Sequence, residues 1–195
     1  MKSTVGILLA GGLSRRYGSP KAFATLDGAF FYEKTYAVLR AVCDEVVVVT
    51  REELLTEFPT DYHVITDIDP FVGCGPLAGI YAAMVAVEAE QYVVLPCDMP
   101  LIETVILEKL IERHQSEITV VEVSGRLQPL VSVWNVSVKE KILDALQAKR
   151  YRIQDVFDTS SIMKVDSVYL TNQLEVFMNV NTPKQDKEMR EWLKS

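Results

Sequence analysis

Val5-Gly-Ile-Leu-Leu-Ala-Gly-Gly-Leu-Ser-Arg-Arg-Tyr-Gly-Ser-Pro-Lys21 is the stretch on which the reading of this chain turns. Thr4 to Leu9 is an apolar run of buried-strand length. The side chains then shrink: Ala10, Gly11 and Gly12 leave the backbone bare, and a ligand can approach bare backbone closely. Consecutive amides pointing one way form an anion nest. Arg15, Arg16 and Lys21 bring positive charge to the same loop. A strand, a glycine turn and clustered cations together point to a polyphosphate site at the end of a buried strand.

Two common phosphate motifs do not fit. The P-loop needs Gly-x-x-x-x-Gly-Lys-Ser/Thr, but Lys21 follows Pro20 and precedes Ala22. The dinucleotide fingerprint Gly-x-Gly-x-x-Gly does not match Gly11 to Gly18 either.

The rest of the chain fits one α/β unit, residues 1–195. It shows no internal repeat or linker-like run, and its length is enough for a full core. Half the residues are apolar, and the net charge of −7 argues against broad binding to nucleic acid or anionic membranes. The apolar runs are of strand length, the N-terminus does not read as a signal peptide, and a cytoplasmic location follows as the default. Cys43, Cys74 and Cys97, with His63 and His114, form neither a disulfide framework nor a zinc spacing.

Along the chain, apolar periodicity predicts a helix over Phe31–Val42, and Glu45–Thr50, with its run Val46-Val-Val-Val49, predicts a strand covered on both faces. A short helix is expected over Arg51–Phe58, ended by Pro59, and a strand over Tyr62–Thr66. Pro76 opens a helix whose alanines suit close packing on a sheet. Strands are expected over Gln91–Leu95, Ile118–Val123, Leu130–Trp134 and Ser161–Val165. Helices are expected over Ile102–His114, Val138–Ala148 and Tyr151–Phe157. Val176 onward reads as a strand end and then a turn, before a last helix from Pro183 with Thr182 as its N-cap. The alternation predicts a three-layer Rossmann-like α/β fold: a mostly parallel central sheet with helices on both faces.

In open α/β sheets, ligands bind beyond the carboxyl ends of the strands. Asp98, in Pro96-Cys-Asp-Met-Pro100, is held there by two prolines and is the candidate metal ligand. Magnesium takes one or two carboxylates together with phosphate oxygens and water. Lys21 is placed to neutralise a triphosphate as its α-phosphorus is attacked. Asp67 is a candidate acceptor for the sugar or base, or else a loop cap. Asn179 and Asn181 are candidates for orienting a metal or second substrate, or else turn formers.

Four segments taken together resemble the molybdenum cofactor guanylyltransferases. They are Leu9-Ala-Gly-Gly-x-Ser-x-Arg-x-Gly-x-x-Lys21, Gly75-Pro-Leu-Ala-Gly-Ile80, Cys97-Asp-Met-Pro100 and Asn179-Val-Asn-Thr-Pro183. The first is the signature of nucleotidyltransferases with a nucleotide-diphospho-sugar-transferase-like fold; the other three narrow it to the molybdenum branch. The resemblance implies that the terminal phosphate of molybdopterin attacks the α-phosphate of GTP in the presence of Mg²⁺, and that pyrophosphate leaves. By the same resemblance Leu9, Ala10, Gly11, Gly12 and Lys21 bind GTP, and Asp67 contacts the nucleotide. Asp98 binds both magnesium and nucleotide, Arg16 is the signature arginine beside Lys21 in the catalytic set, and Asn179 and Asn181 face the pterin. It also implies molybdenum-insertion proteins and molybdoenzyme chaperones as partners. Gln128 stands where many relatives have a histidine before Pro-Leu, and is given no role. A cytidylyltransferase making the cytosine form, and a nonenzymatic molybdoenzyme partner with a residual nucleotide site, are the competing readings.

Overall fold

The structure is a computed structural model and describes residues 3–12 and 17–193. Its centre is built from the two most apolar runs. Strand β1 (Thr4–Leu9) lies parallel to β4 (Glu45–Thr50), with Ile7 opposite Val47 and Leu9 opposite Val49. β-Branched side chains on both faces suit a strand covered on both sides, and Val46 to Val49 are all buried.

Between these strands come a hairpin, β2 (Thr25–Leu26) and β3 (Ala29–Phe30), and then α1 (Phe31–Val42). Asp27 and Gly28 both have positive φ, so the Asp-Gly pair makes a tight two-residue turn. After β4 come a 3₁₀ segment (Glu52–Glu57), β5 (His63–Thr66), α2 (Pro76–Ala86), β6 (Gln91–Pro96) and α3 (Thr104–Glu112). The chain continues through β7 (Ile118–Val123), β8 (Arg126–Asn135), α4 (Lys139–Gln147), α5 (Ile153–Phe157), β9 (Ile162–Asp166) and α6 (Pro183–Trp192). Thr182 caps α6 by accepting from the Gln185 amide.

The seven-stranded sheet has the order β5-β4-β1-β6-β8-β7-β9. Every neighbouring pair is parallel except the two that involve β8. Helices α1 and α3 cover one face, with Leu39, Ile106, Leu107 and Leu110 against Leu8, Val48 and Val93. Helices α2, α4 and α5 cover the other, with Leu77, Ile80, Ile142 and Val156 against Ile7, Val49 and Val94. This is the expected three-layer α/β fold. Helix α2 lies close to the sheet at Gly79, where a Cβ would come within 3.1 Å of both Leu9 Cδ2 and Val49 Cγ1.

Two expectations change. The segment before Asn179 is not a strand end but a 3₁₀ turn, Leu174–Phe177. Its apolar residues Val176 and Phe177 face the core beside α3 instead of pairing with a neighbour. The strand expected over Leu130–Trp134 begins earlier, at Arg126, because Ser124 and Gly125 take positive φ and fold it back on β7 as a hairpin. That hairpin is interrupted. Val120 lies opposite Ser132 and Val121 opposite Gln128, so Pro129, Leu130 and Val131 have no partner on β7. Proline cannot donate to a ladder, and a bulge is one of the places a sheet accepts it.

Candidate functional site

The carboxyl ends of the parallel strands open on one edge of the sheet. β1 is held there on both sides to its last residue. The Ala10 amide donates to the Val49 carbonyl at 2.8 Å, and the Cys97 amide donates to the Leu9 carbonyl at 3.1 Å. The chain then crosses the end of β4: a Cβ on Gly11 would sit 3.5 Å from the Thr50 backbone and 3.6 Å from Arg51 Cγ, while one on Gly12 would meet nothing within 4 Å. Neither glycine is demanded by protein packing. Bare backbone facing open space is what a closely approaching ligand requires. Leu13, Ser14, Arg15 and Arg16 lie outside the described residues, so the expectation for Arg16 is not addressed by the geometry.

Lys21 opens a short 3₁₀ turn after Pro20, and its ammonium reaches across the β1–β6 edge. Nζ donates to Asp98 Oδ2 at 2.6 Å and to Asn181 Oδ1 at 2.6 Å. The Lys21 and Asp98 side chains are only 12% and 17% exposed, so this pair is shielded far more than a surface ion pair. Asp98 Oδ1 is buried and has no hydrogen-bond partner among the described residues. Orphaned polar atoms of this kind point to a missing ion, water or ligand.

Asn181 is brought to Lys21 by the chain leading into α6. The Val180 amide donates to the Asp98 carbonyl at 2.8 Å, and the Asn181 amide donates to Gln185 Oε1 at 2.9 Å. Val180 and Met189, both fully buried, pack with Leu26 and Phe31 and hold this segment over the β2–β3 hairpin. Asp98, Asn179 and Asn181 share a cavity of about 240 Å³ with Pro96, Met99, Gln128, Pro129 and Leu130. Pro129 and Leu130 lie within the interruption in β8 and Gln128 borders it, still paired with Val121; the interruption is pinned where the Ser132 hydroxyl donates to the Pro129 carbonyl at 2.8 Å and accepts from Trp134 Nε1 at 2.7 Å. A larger cavity of about 330 Å³, lined by Ser3, Glu88, Tyr92 and Lys139 among others, lies by the amino ends of β1 and β6, where no candidate residue sits.

Asp67 follows β5 and stands apart from the Lys21 cluster. Its Oδ2 accepts from the Gly73 amide at 2.9 Å, closing the loop that leads to Gly75 and α2. Burial raises its carboxyl pKa, and the Gly73 hydrogen bond opposes the rise in part. Asp67 is thus the loop cap that the sequence allowed, and also a half-buried carboxylate beside the amino end of α2. Cys97, next to Asp98, is buried, and burial pushes its thiol up to about 12, which suits packing and not nucleophilic work. His63 pairs with Glu45 at the surface, and the His114 ring meets Thr119 Oγ1 in the interior.

The edge therefore carries a bare glycine loop, a shielded lysine and an under-coordinated aspartate beside a polar cavity, and phosphoryl chemistry needs these parts. Residues 6–163 match the model of the MobA-like NTP transferase domain. The chain belongs to the MobA-like NTP transferase family. A relative from Geobacillus sp. (strain WCH70), a probable molybdenum cofactor guanylyltransferase, is 37% identical over 189 residues, covering 95% of this chain and 97% of its own. Among solved structures, the molybdopterin-guanine dinucleotide biosynthesis protein A of Archaeoglobus fulgidus superposes with a TM-score of 0.82. It is 23% identical and covers 97% of this chain and 98% of its own. A Mycobacterium tuberculosis H37Rv protein solved as a complex with manganese superposes at 0.69, with 16% identity and coverage of 97% and 98%. At those identities the two structures speak for the fold, which they share with this MobA-like chain.

Two residues at the edge of this MobA-like site escaped the sequence reading. Gln128 was noticed only as a departure from relatives, although Pro129 within a β-rich run is a bulge signal. Arg51 looked like the opening of a short helix, and only the register of β1 on β4 brings it to Gly11.

Proposed function

We propose that this chain transfers GMP from GTP to the terminal phosphate of molybdopterin, releasing pyrophosphate and forming the guanine dinucleotide form of the molybdenum cofactor. The observation that carries the reading is the Lys21–Asp98–Asn181 cluster, set between the glycine loop and the Gln128–Asn179 cavity. GTP lies across the ends of β4, β1 and β6, with its phosphates against the amides of Gly11 and Gly12. Molybdopterin enters from the β8 side, where Asn179, Asn181 and Gln128 offer amide donors and acceptors. A phosphate oxygen of molybdopterin forms a bond to the α-phosphorus as the bond to the bridging β-oxygen breaks, and the electron pair leaves with pyrophosphate. Lys21 stabilises the charge that grows on the α-phosphoryl oxygens. Arg16 belongs to the same loop and adds a second cation in this reading.

The residues present fit a magnesium ion. Asp98 Oδ1 is a buried carboxylate oxygen with no partner among the described residues, and one carboxylate with phosphate oxygens and water is an ordinary magnesium shell. Among the described residues no group of three or more His, Cys, Asp or Glu side chains could cage a metal, which suits an ion that arrives with its nucleotide. When bound, the ion supplies charge neutralisation and orientation at the phosphates. This reading takes residues 1–195 as one catalytic domain acting in the cytoplasm; among the described residues no helix is long and apolar enough to cross a membrane.

The test is an equilibrium titration of GTP and CTP, with and without Mg²⁺, on the wild type and on Asp98→Ala. GTP is expected to bind ahead of CTP, and the substitution to abolish the magnesium dependence. CTP binding ahead of GTP would replace the guanylyl product with the cytidylyl one. Binding of neither would leave the chain a partner protein with a relic pocket.

A further inference from the structure

Arg51 stands one residue beyond the end of β4, where Thr50 pairs with Thr66. Side chains alternate across a strand. Val47 and Val49 pack on the α2 face, and Val46 and Val48 on the α1 face. The backbone stays extended at Arg51, with φ −91° and ψ 153°, so its side chain falls on the α2 face. Leu9 and Ile65 lie on that face too. Gly11 and Asp67 follow them two residues later along their own strands. The spacing agrees with the alternation: a Cβ on Gly11 would lie 3.6 Å from Arg51 Cγ, and one on Gly79 would lie 3.6 Å from Asp67 Oδ1. Gly11, Arg51 and Asp67 therefore border one corner of the sheet edge, beside the amino end of α2.

The Arg51 guanidinium is incompletely satisfied. Nη1 donates to Glu53, an exposed partner. Nε is buried with no partner among the described residues. The ion pair with Glu53 explains one end of the fork and leaves the other unexplained, and a native structure seldom leaves a buried N–H without an acceptor.

The distance to the reacting phosphate also fits. β4 and β6 are two strand spacings apart, about 10 Å, which is the reach of a nucleoside monophosphate from base edge to phosphorus. With the α-phosphate at Lys21 and Asp98, a base laid along the edge toward β5 arrives at Arg51.

We infer that Arg51 reads the base: its Nε–H and Nη2–H donate in parallel to N7 and O6 of guanine and set the preference for GTP over CTP. This rests on the guanylyltransferase reading above. Arginine on the O6/N7 pair is the best geometric match between a side chain and guanine, because both atoms accept. Adenine presents a donor in place of O6, and the adjacent acceptors of cytosine, N3 and O2, lie on the pairing edge of a smaller ring, displaced from where a fork set for N7 and O6 would point. Lysine keeps the charge but lacks the planar fork.

The experiment titrates GTP, 7-deaza-GTP (which lacks N7 as an acceptor) and CTP against the wild type, Arg51→Lys and Arg51→Ala, with a thermal melt of each protein. The wild type is expected to favour GTP over both other nucleotides. Both variants are expected to lose about ten- to a hundredfold in GTP affinity, to change little toward CTP, and to stop distinguishing GTP from 7-deaza-GTP. Arg51→Lys retains most of the apolar stem, so it stays informative if Arg51→Ala melts early. Equal loss on all three nucleotides would make Arg51 a phosphate or packing residue and overturn the inference, and so would unchanged selectivity. A wild type that binds no GTP would overturn the guanylyltransferase reading itself, and this inference with it.

Discussion

On one side of Asp98 lie four parallel strands, β5, β4, β1 and β6; on the other lie β8, β7 and β9, with β8 running against all its companions. The parallel side makes its half of the site from loops that follow strands in sequence: Ala10 to Lys21 after β1, Arg51 after β4, Asp67 to Gly75 after β5. On the other side β7 and β9 also end at this edge, in the Ser124–Gly125 turn and in the segment from Ser167 onward. What reaches the site from this side is Gln128, Pro129 and Leu130, at and within the interruption in β8, and the Asn179–Asn181 segment downstream of β9. The two halves can be separated by substitution.

The largest effect is expected from a substitution at their junction. Lys21→Ala removes the cation that joins Asp98 to Asn181 and that the proposed reaction sets against the phosphates. Steady-state pyrophosphate release should fall by about a hundred- to a thousandfold, as when a donor to a developing oxyanion is lost. A loss confined to KM for GTP would make Lys21 a binding residue only.

A smaller effect should fall on one half alone. Gln128→Ala deletes an amide of the cavity at the border of the bulge without touching the glycine loop. The KM for molybdopterin should rise severalfold, the value of about one hydrogen bond, with GTP affinity unchanged in a parallel titration. Weakened GTP binding would mean that the two halves are not separate.

The smallest effect concerns Asp67, at the far end of the nucleotide half. Burial raises its pKa in the folded protein, so the native state binds more protons than the unfolded chain between the unfolded value and the raised one. Stability therefore falls as pH climbs through that window, and the deficit persists above it. Asp67→Asn removes this titration and can still accept from the Gly73 amide. Melting temperatures followed from about pH 3 to pH 7, across the ordinary carboxylate range, should show the variant gaining on the wild type by a few degrees as pH rises. A constant difference would mean that Asp67 titrates alike in both states.

The same division explains what could be read before the structure was known. The bounds of β1, α1, β4 and β7 match the sequence expectations, because valine-rich runs and helical periodicity are local properties. The glycine loop was legible for the same reason. Lys21, Asp98 and Asn181 were each singled out separately, but their mutual contact joins residues up to 160 positions apart and no window of sequence contains it. The run Val176-Phe177 misled because apolar β-formers also fill core positions in turns, and tertiary packing decided the matter. Arg51 stayed hidden because its importance comes from the neighbouring strand.

The hydrogen bond from Lys21 to Asn181 joins residues 160 positions apart, and the one to Asp98 joins residues 77 apart. During synthesis, which presents a chain from its N-terminus, the nucleotide loop emerges long before the segment that completes it. A growing chain that has already paired β1, β4, β5 and β6 still lacks Asn179, Asn181 and the docking of Val180 on Asp98. On the proposed reading, the site closes only once Asn181 has followed Lys21 out by 160 residues, so competence for chemistry arrives late in synthesis.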